Sequence, residues 1–296
     1  RPLGIEFQEL EDWNCCGATE YISLNRTAAY SLVARNLALA EAQLEKGTEL
    51  VAPCSLCFLN LSKADQYMVE DQELSTKVNT ALGAGGLHYD PGTIKTRHLL
   101  HIISEDVGLD AVAARVIRPL TGLRVAAYYG CLIVRPGFQS KFDNFEYPSS
   151  LDNMMKVLGA SVVDFPLKAH CCGGHMTQIS QPVALDMIRR LLENASEYKA
   201  DVIVTLCPMS QLNLEAYKGE DNKYFKTNYN IPILYFTQLM GLAFGLSAQE
   251  LGIGKEFVDA RPALGKIGVE VPPAEEPKKK KASKEELPMP RMPEEK

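Results

Sequence analysis

The eight cysteines of this chain fall into two groups of similar layout, and each group contains a Cys-Cys-Gly. The first is Cys15-Cys16-Gly17, followed by Cys54 and Cys57. The second is Cys171-Cys172-Gly173, followed by Cys207 and preceded by Cys131. Thiolates in such numbers are ligands for zinc or iron–sulfur clusters, because soft sulfur donors select both. An adjacent Cys-Cys pair cannot easily aim both sulfurs at one small tetrahedral ion, but its two sulfurs can bind different irons of one larger cluster. Zinc sites usually use two Cys-x-x-Cys knuckles, so this spacing favours iron–sulfur ligation. Gly17, Gly173 and Gly174 allow backbone amides to approach cluster sulfides, although a glycine can equally serve the turn alone. An even cysteine count also admits a disulfide framework, but such frameworks belong to small secreted chains.

This chain is neither small nor marked for export. Its 296 residues, 46% of them hydrophobic, suffice for one large domain or two of ordinary size. A formal charge of −6 and a pI near 5.5 provide no cationic field for nucleic acid. No apolar run reaches the roughly 18 residues of a membrane span. The longest, 231–246, is interrupted by Pro232, Gln238 and Gly241 and reads as a buried helix. Arg1-Pro2-Leu3-Gly4 lacks the charged-then-apolar pattern of a signal peptide, so a reducing, cytoplasmic location is expected.

The cysteines fall at the ends of predicted elements. In the second half, the apolar run 124–131 reads as a strand buried on both faces and ending at Cys131. A helix around Ser150 to Leu158, stopped by Gly159, leads to a strand at 161–165 and then to His170-Cys171-Cys172. An amphipathic helix with Val183, Met187, Leu191 and Ala195 on its apolar side precedes a strand at 201–207 that ends in Cys207. The first half repeats this order. A strand at 5–10 leads to Cys15, a helix covers about 27–45, and a strand at 50–53 ends at Cys54. A helix then begins near Leu59, where Leu59-Asn60-Leu61 matches Leu212-Asn213-Leu214 after Cys207. Residues 3–7 read as a helix end running into a strand, so a preceding strand ending in Gly-Cys is expected to be missing. Alternating strands and helices predict an α/β fold with two pseudo-symmetric halves, each a small parallel sheet with flanking helices and cysteines at the strand ends. The boundaries read 1–118, 119–248 and a C-terminal extension 249–296, which is Pro-, Glu- and Lys-rich and expected to be disordered from about 272.

Five segments carry a family resemblance: 15–21, 52–57, Tyr129-Gly130-Cys131, 170–175 and 206–213. Together they resemble the duplicated cysteine-rich, or CCG, domain found in the B subunit of heterodisulfide reductase, over roughly residues 1–246. The wider family includes subunits of lactate, glycolate and succinate oxidoreductases. The resemblance implies two 4Fe–4S clusters, each complete motif supplying five cysteines to a noncubane cluster. Carried onto this chain, the ligands are Cys15, Cys16, Cys54 and Cys57 in the first half and Cys131, Cys171, Cys172 and Cys207 in the second. Ser210 stands in the fifth-ligand position of the second half, which leaves two alternatives there: a cubane cluster on four cysteines, or a modified site with Ser210 near iron.

The resemblance also implies a reaction. A mixed disulfide held between the clusters, at the interface of the halves, is reduced to two thiols. His170 and His175 flank the cysteine pair and are candidates for proton donors or for hydrogen bonds to the cluster surroundings. Lys168 is a candidate for attracting an anionic substrate, or simply an exposed lysine. The chain shows no Gly-x-Gly-x-x-Gly fingerprint after a strand, so electrons must come from partners. The family implies a ferredoxin-like iron–sulfur subunit and a flavin-containing subunit. The alternatives are an electron-transfer subunit of another oxidoreductase, of lactate, glycolate or succinate type, and a structural zinc-binding assembly module.

Overall fold

The computed structural model describes residues 2–17, 21–45, 49–134 and 142–273. The first half opens with an irregular segment and a long helix, α1 (Arg26–Gln43). Then come β1 (Leu50–Ala52), α2 (Ser55–Glu70), α3 (Gln72–Gly83) and β2 (Thr96–His98). The strands β1 and β2 pair in parallel, with Ala52 opposite His98. A core built from Tyr30, Leu37, Phe58, Met68 and Val78 fills the space between α1, α2, α3 and this small sheet.

The second half contains β3 (Arg124–Tyr128), α4 (Ser150–Val157), β4 (Ser161–Val162), α5 (Gln181–Glu197), β5 (Val202–Thr205), α6 (Pro208–Ala216), α7 (Lys218–Phe225), β6 (Ile233–Tyr235) and α8 (Phe236–Ala243). Its four strands form one parallel sheet in the order β4-β3-β5-β6. Successive strand residues face opposite sides, and two separate cores record this. Val125, Ala127, Val202 and Val204 join one core, while Ala126, Tyr128 and Ile203 join the other. Burial on both faces explains why 124–128 and 202–205 are continuous apolar runs. The expected α/β architecture with two small parallel sheets is present.

Several details differ from the sequence reading. Residues 5–10 form no strand. No strand lies beside them among the described residues, and farther along the segment side-chain amides from α1 take the place of a ladder. Gln43 bonds both the N–H and the carbonyl of Glu11, at 2.9 and 3.0 Å, and Asn36 does the same for Asn14, at 2.9 Å each. The apolar run 231–246 is a strand and then a helix, because Ile233–Tyr235 completes the edge of the second sheet beside β5. The buried face of α5 is Ala184, Leu185, Ile188, Leu191, Leu192 and Ala195, whereas Val183 is exposed. The helix after Cys54 begins at Ser55, one turn before Leu59. The extension packs on the second-half core through Ile253, Leu264 and Val269. The tail expected to be disordered, from 274 onward, lies outside the described residues.

Candidate metal centre

The architecture delivers the cysteines to the carboxyl ends of parallel strands. Cys54 follows β1 and is the N-cap of α2, and Cys207 follows β5 and is the N-cap of α6. Each thiol therefore stands at the positive end of a helix dipole, which favours the thiolate. Cys131 follows β3 through Gly130, whose φ of 69° is a conformation that other residues rarely adopt. That turn is fastened by the amides of Tyr129 and Gly130, which donate to the Lys168 carbonyl at 2.9 and 3.0 Å. At Gly173 the φ is 76°, and an added Cβ would lie 3.3 Å from the Ala184 carbonyl oxygen on α5, so both the backbone and the close helix approach require glycine.

The thiols make a line that runs from one half into the other. Cys16 Sγ lies 3.0 Å from Cys57 Sγ, and Cys54 is close enough to Cys57 and Cys207 for both thiols to pull it toward the thiolate. Farther along, Ser210 Oγ lies 3.4 Å from Cys172 Sγ and also neighbours Cys207, and Cys171 neighbours both Cys172 and Cys131. Cys15 is exposed beside the first row, and all eight are free cysteines. In each half one sulfur is favoured as the thiolate. Hydrogen bonds from Cys207 and Cys57 pull the Cys54 thiol down, and hydrogen bonds from Cys131 and Cys172 do the same for Cys171, with the charge of His175 a smaller contribution. The donors move the other way: bonding to Cys171 and burial push up Cys131 and Cys172, and bonding to Cys54 and burial push up Cys207.

A pair of buried asparagines holds the two Cys-Cys turns. Asn60 Nδ2 donates to the Cys16 carbonyl at 3.1 Å, and Asn213 Nδ2 donates to the Cys172 carbonyl at 2.7 Å. Both lie in the second turn of the helix that a cysteine caps. The repeated Leu-Asn-Leu is the sequence signal for them, but it does not reveal what the asparagine bonds.

The other candidate residues are placed as follows. His170 is exposed, and its carbonyl accepts from Tyr128 Oη at 2.7 Å. His175 is half-buried at the N-terminus of the short helix Met176–Ile179, close enough to Cys171 to influence its charge. Lys168 is neither exposed nor available to a substrate. Its side chain is 4% exposed, donates to the Pro148 carbonyl at 2.7 Å and pairs with Asp152 at 3.0 Å. Ser210 is buried within the second thiol row, in contact with two of its cysteines. A crevice of about 10 Å³, the room of a single water, lies between His101 and the side chains of Tyr129, Val134, Phe142 and Phe145.

The donor set suits a polynuclear group. Among the described residues no three His, Cys, Asp or Glu side chains are grouped to hold one metal ion. The sulfurs are instead strung out in rows bordered by Gly17, Gly130 and Gly173, all at positive φ. Soft thiolates in rows fit an iron–sulfur cluster better than a single tetrahedral zinc.

Comparison with known proteins agrees with this chemistry. A family model, CCG: Cysteine-rich domain, matches residues 1–62 and 125–215. This chain belongs to the CCG family. The CCG chain is 34% identical to the 8-methylmenaquinol:fumarate reductase membrane anchor subunit of Wolinella succinogenes, over 87% of this chain and 88% of the relative. It is 29% identical to the B subunit of the ferredoxin/F(420)H(2)-dependent CoB-CoM heterodisulfide reductase of Methanosarcina acetivorans, over 90% and 88% of the two chains. A protein of Archaeoglobus profundus described as like the B subunit of heterodisulfide reductase is 30% identical over 84% of each. The resemblance read from the cysteine motifs therefore holds. The crystal structure of a hypothetical protein from Helicobacter pylori superposes with a TM-score of 0.61 at 17% identity, over 81% of the CCG chain and 43% of that chain, and shares the fold alone. Although one relative is named a membrane anchor subunit, no helix among the described residues of the CCG chain is long and apolar enough to cross a membrane.

Proposed function

We propose that this chain is the iron–sulfur subunit of a heterodisulfide reductase-type complex, reducing a disulfide to two thiols with electrons from a partner iron–sulfur subunit. The observation that carries this reading is the approach of Cys54 to Cys207, which brings the two thiol rows close together across the halves, where Ser55 and Tyr235 bond the carbonyls that precede the opposite cysteine. A disulfide takes two electrons, and two adjacent one-electron centres supply them without an outside intermediate. The rows assigned are Cys15, Cys16, Cys54 and Cys57 for the first cluster, and Cys131, Cys171, Cys172 and Cys207 for the second, with Ser210 beside it. Clusters bound there supply one-electron transfer and iron sites that accept thiolate sulfur.

The residues of the chain do the remaining work. The helix terminus at Cys54 favours the thiolate state required of a ligand. Asn60 and Asn213 hold the Cys-Cys turns in register with the helices. His175, near Cys171, is placed to deliver a proton to a departing thiolate, while exposed His170 exchanges protons with solvent. A ferredoxin-like subunit, fed by a flavin-containing subunit, is the electron source this reading requires.

A second reading is supported by Ser210 and by the relative at 34% identity, whose name refers to fumarate reduction. On that reading the chain relays electrons between partners and has no disulfide site. One experiment separates the two. The anaerobically isolated protein, reduced with dithionite and freed of excess reductant, is mixed with a small mixed disulfide. Cluster reoxidation with release of two thiols per disulfide supports the reductase. If the clusters stay reduced, or reoxidise without thiol release, that reading is overturned and the relay stands.

A further inference from the structure

The two halves are joined by reciprocal hydrogen bonds that the cysteine motifs do not include. His98 ends β2 opposite Ala52, and Tyr235 ends β6 opposite Thr205, so the two residues occupy the same register position in their halves. Each also stands at the N-cap of the following helix. The Leu100 N–H donates to His98 Nδ1 at 3.1 Å, and Tyr235 shares a capping box with Gln238. Each then reaches across the junction. His98 Nε2 lies 3.3 Å from the Leu206 carbonyl, the residue before Cys207, and Tyr235 Oη bonds the carbonyl of Pro53, the residue before Cys54.

Donor counting fixes which bonds form. Because His98 Nδ1 accepts, its proton must be on Nε2, which makes Nε2 the donor to Leu206. Ser55 Oγ, also from the first half, lies 3.3 Å from the same carbonyl, and Tyr235 Oη lies 3.1 Å from it. A carbonyl has two lone pairs and a phenol one proton. His98 and Ser55 therefore fill Leu206, and Tyr235 gives its proton to Pro53. The pattern is crossed: the first half holds the strand end before Cys207, and the second half holds the strand end before Cys54. His98 and Ser55 are both completely buried, so these donors have no water to turn to.

We infer that His98 and Tyr235 are positioning residues that form a cross-half latch, setting the separation of Cys54 and Cys207 and hence the coupling of the two thiol rows. The consequence for bound clusters rests on the proposed function, whereas the latch itself does not.

The test has an arm for each. In the cluster-free protein under argon, a small-molecule disulfide such as oxidised glutathione is added. It takes two electrons and two protons from a pair of thiols, becoming two thiols itself while one protein disulfide forms. Peptide mapping then gives the yield of the Cys54–Cys207 cross-link relative to Cys16–Cys57, which lies within one half and serves as the reference. Tyr235→Phe and His98→Leu should each lower that ratio about fivefold, the weight of one ordinary hydrogen bond, and His98→Gln, whose amide can donate from a similar position, should restore most of it. Unchanged ratios in both Tyr235→Phe and His98→Leu overturn the latch. In the loaded protein, electron paramagnetic resonance should show Tyr235→Phe perturbing the first-half centre and His98→Leu the second-half centre. Perturbation confined to each residue's own half refutes the crossed arrangement. If no cluster signal is found at all, the proposed function fails while the cross-link ratio still decides the latch.

Discussion

Asn213→Ala tests whether the paired asparagines hold the cysteine turns. Asn213 is 3% exposed and its Nδ2 donates to the Cys172 carbonyl at 2.7 Å. Truncation leaves that carbonyl facing a small void that is sealed from solvent. A buried acceptor that loses its donor costs about 1–3 kcal/mol, and the short bond places Asn213 in the middle of that range, at about 2 kcal/mol. For a chain of this size, a loss of that magnitude lowers Tm by about 3 °C. Asn213→Asp should be at least as harmful, since it sets a carboxylate oxygen against a carbonyl in a buried place. Asn60→Ala should follow with a smaller loss, because its bond to Cys16 is longer at 3.1 Å. The assays are thermal unfolding of the anaerobic protein and iron content after gel filtration, with iron loss expected for the second-half site in Asn213→Ala. A Tm within about 1 °C of the parent, together with full iron, would refute the reasoning, since surface-like changes stay within about 0.5 kcal/mol.

Three further outcomes are expected. Gly173→Ala should destabilise by about 1–2 kcal/mol and reduce iron retention, because φ is +76° there and the new methyl would press on the Ala184 carbonyl; equal denaturant midpoints for the two proteins would contradict this. Glu215 is buried and accepts from the amides of Ile233 at 2.7 Å and Val258 at 2.9 Å, so Glu215→Gln, which turns an NH₂ toward one of those donors, should loosen the extension. Limited proteolysis should then cut near Val258 faster, and an unchanged digestion rate would count against it. Burial pushes His98 from 6.5 down to about 4 and His101 down to about 3, so the unfolded chain takes up protons near pH 6.5 that the folded chain refuses. The stability from the neutral rings is complete above pH 6.5 and is lost as pH falls toward 4, by about 3 kcal/mol for His98 alone. Urea midpoints of the cluster-free protein at pH 7 and 4.5 measure this, and a His98→Gln protein with the same pH dependence as the parent would rule it out.

Much of the candidate centre was legible in the residues because strands buried on both faces must be continuous apolar runs. Those runs at 124–128 and 202–205 lead directly to Cys131 and Cys207. Other elements left no such trace. The strand Thr96–His98 is three residues long and contains an arginine and a histidine, so neither alternation nor an apolar run marks it. It exists because β1 offers an unpaired edge. The strand Ile233–Tyr235 was hidden inside a longer apolar run for the opposite reason, since the helix that follows it is equally apolar. Lys168 carries a charge that a sequence reading sends to the surface, yet Asp152 and the Pro148 carbonyl make its burial tolerable.

By itself the sequence determined that the chain is a duplicated α/β protein whose cysteines end its strands, because hydrophobic periodicity and residue type act locally. Which cysteine meets which was decided only by tertiary structure. Cys54 and Cys207 are far apart along the chain, and they come close because the two halves pack strand end to strand end, with His98, Ser55 and Tyr235 satisfying the backbone carbonyls buried at that seam. A buried carbonyl must find a donor, and here each half supplies it to the other, a pairing that no local pattern encodes.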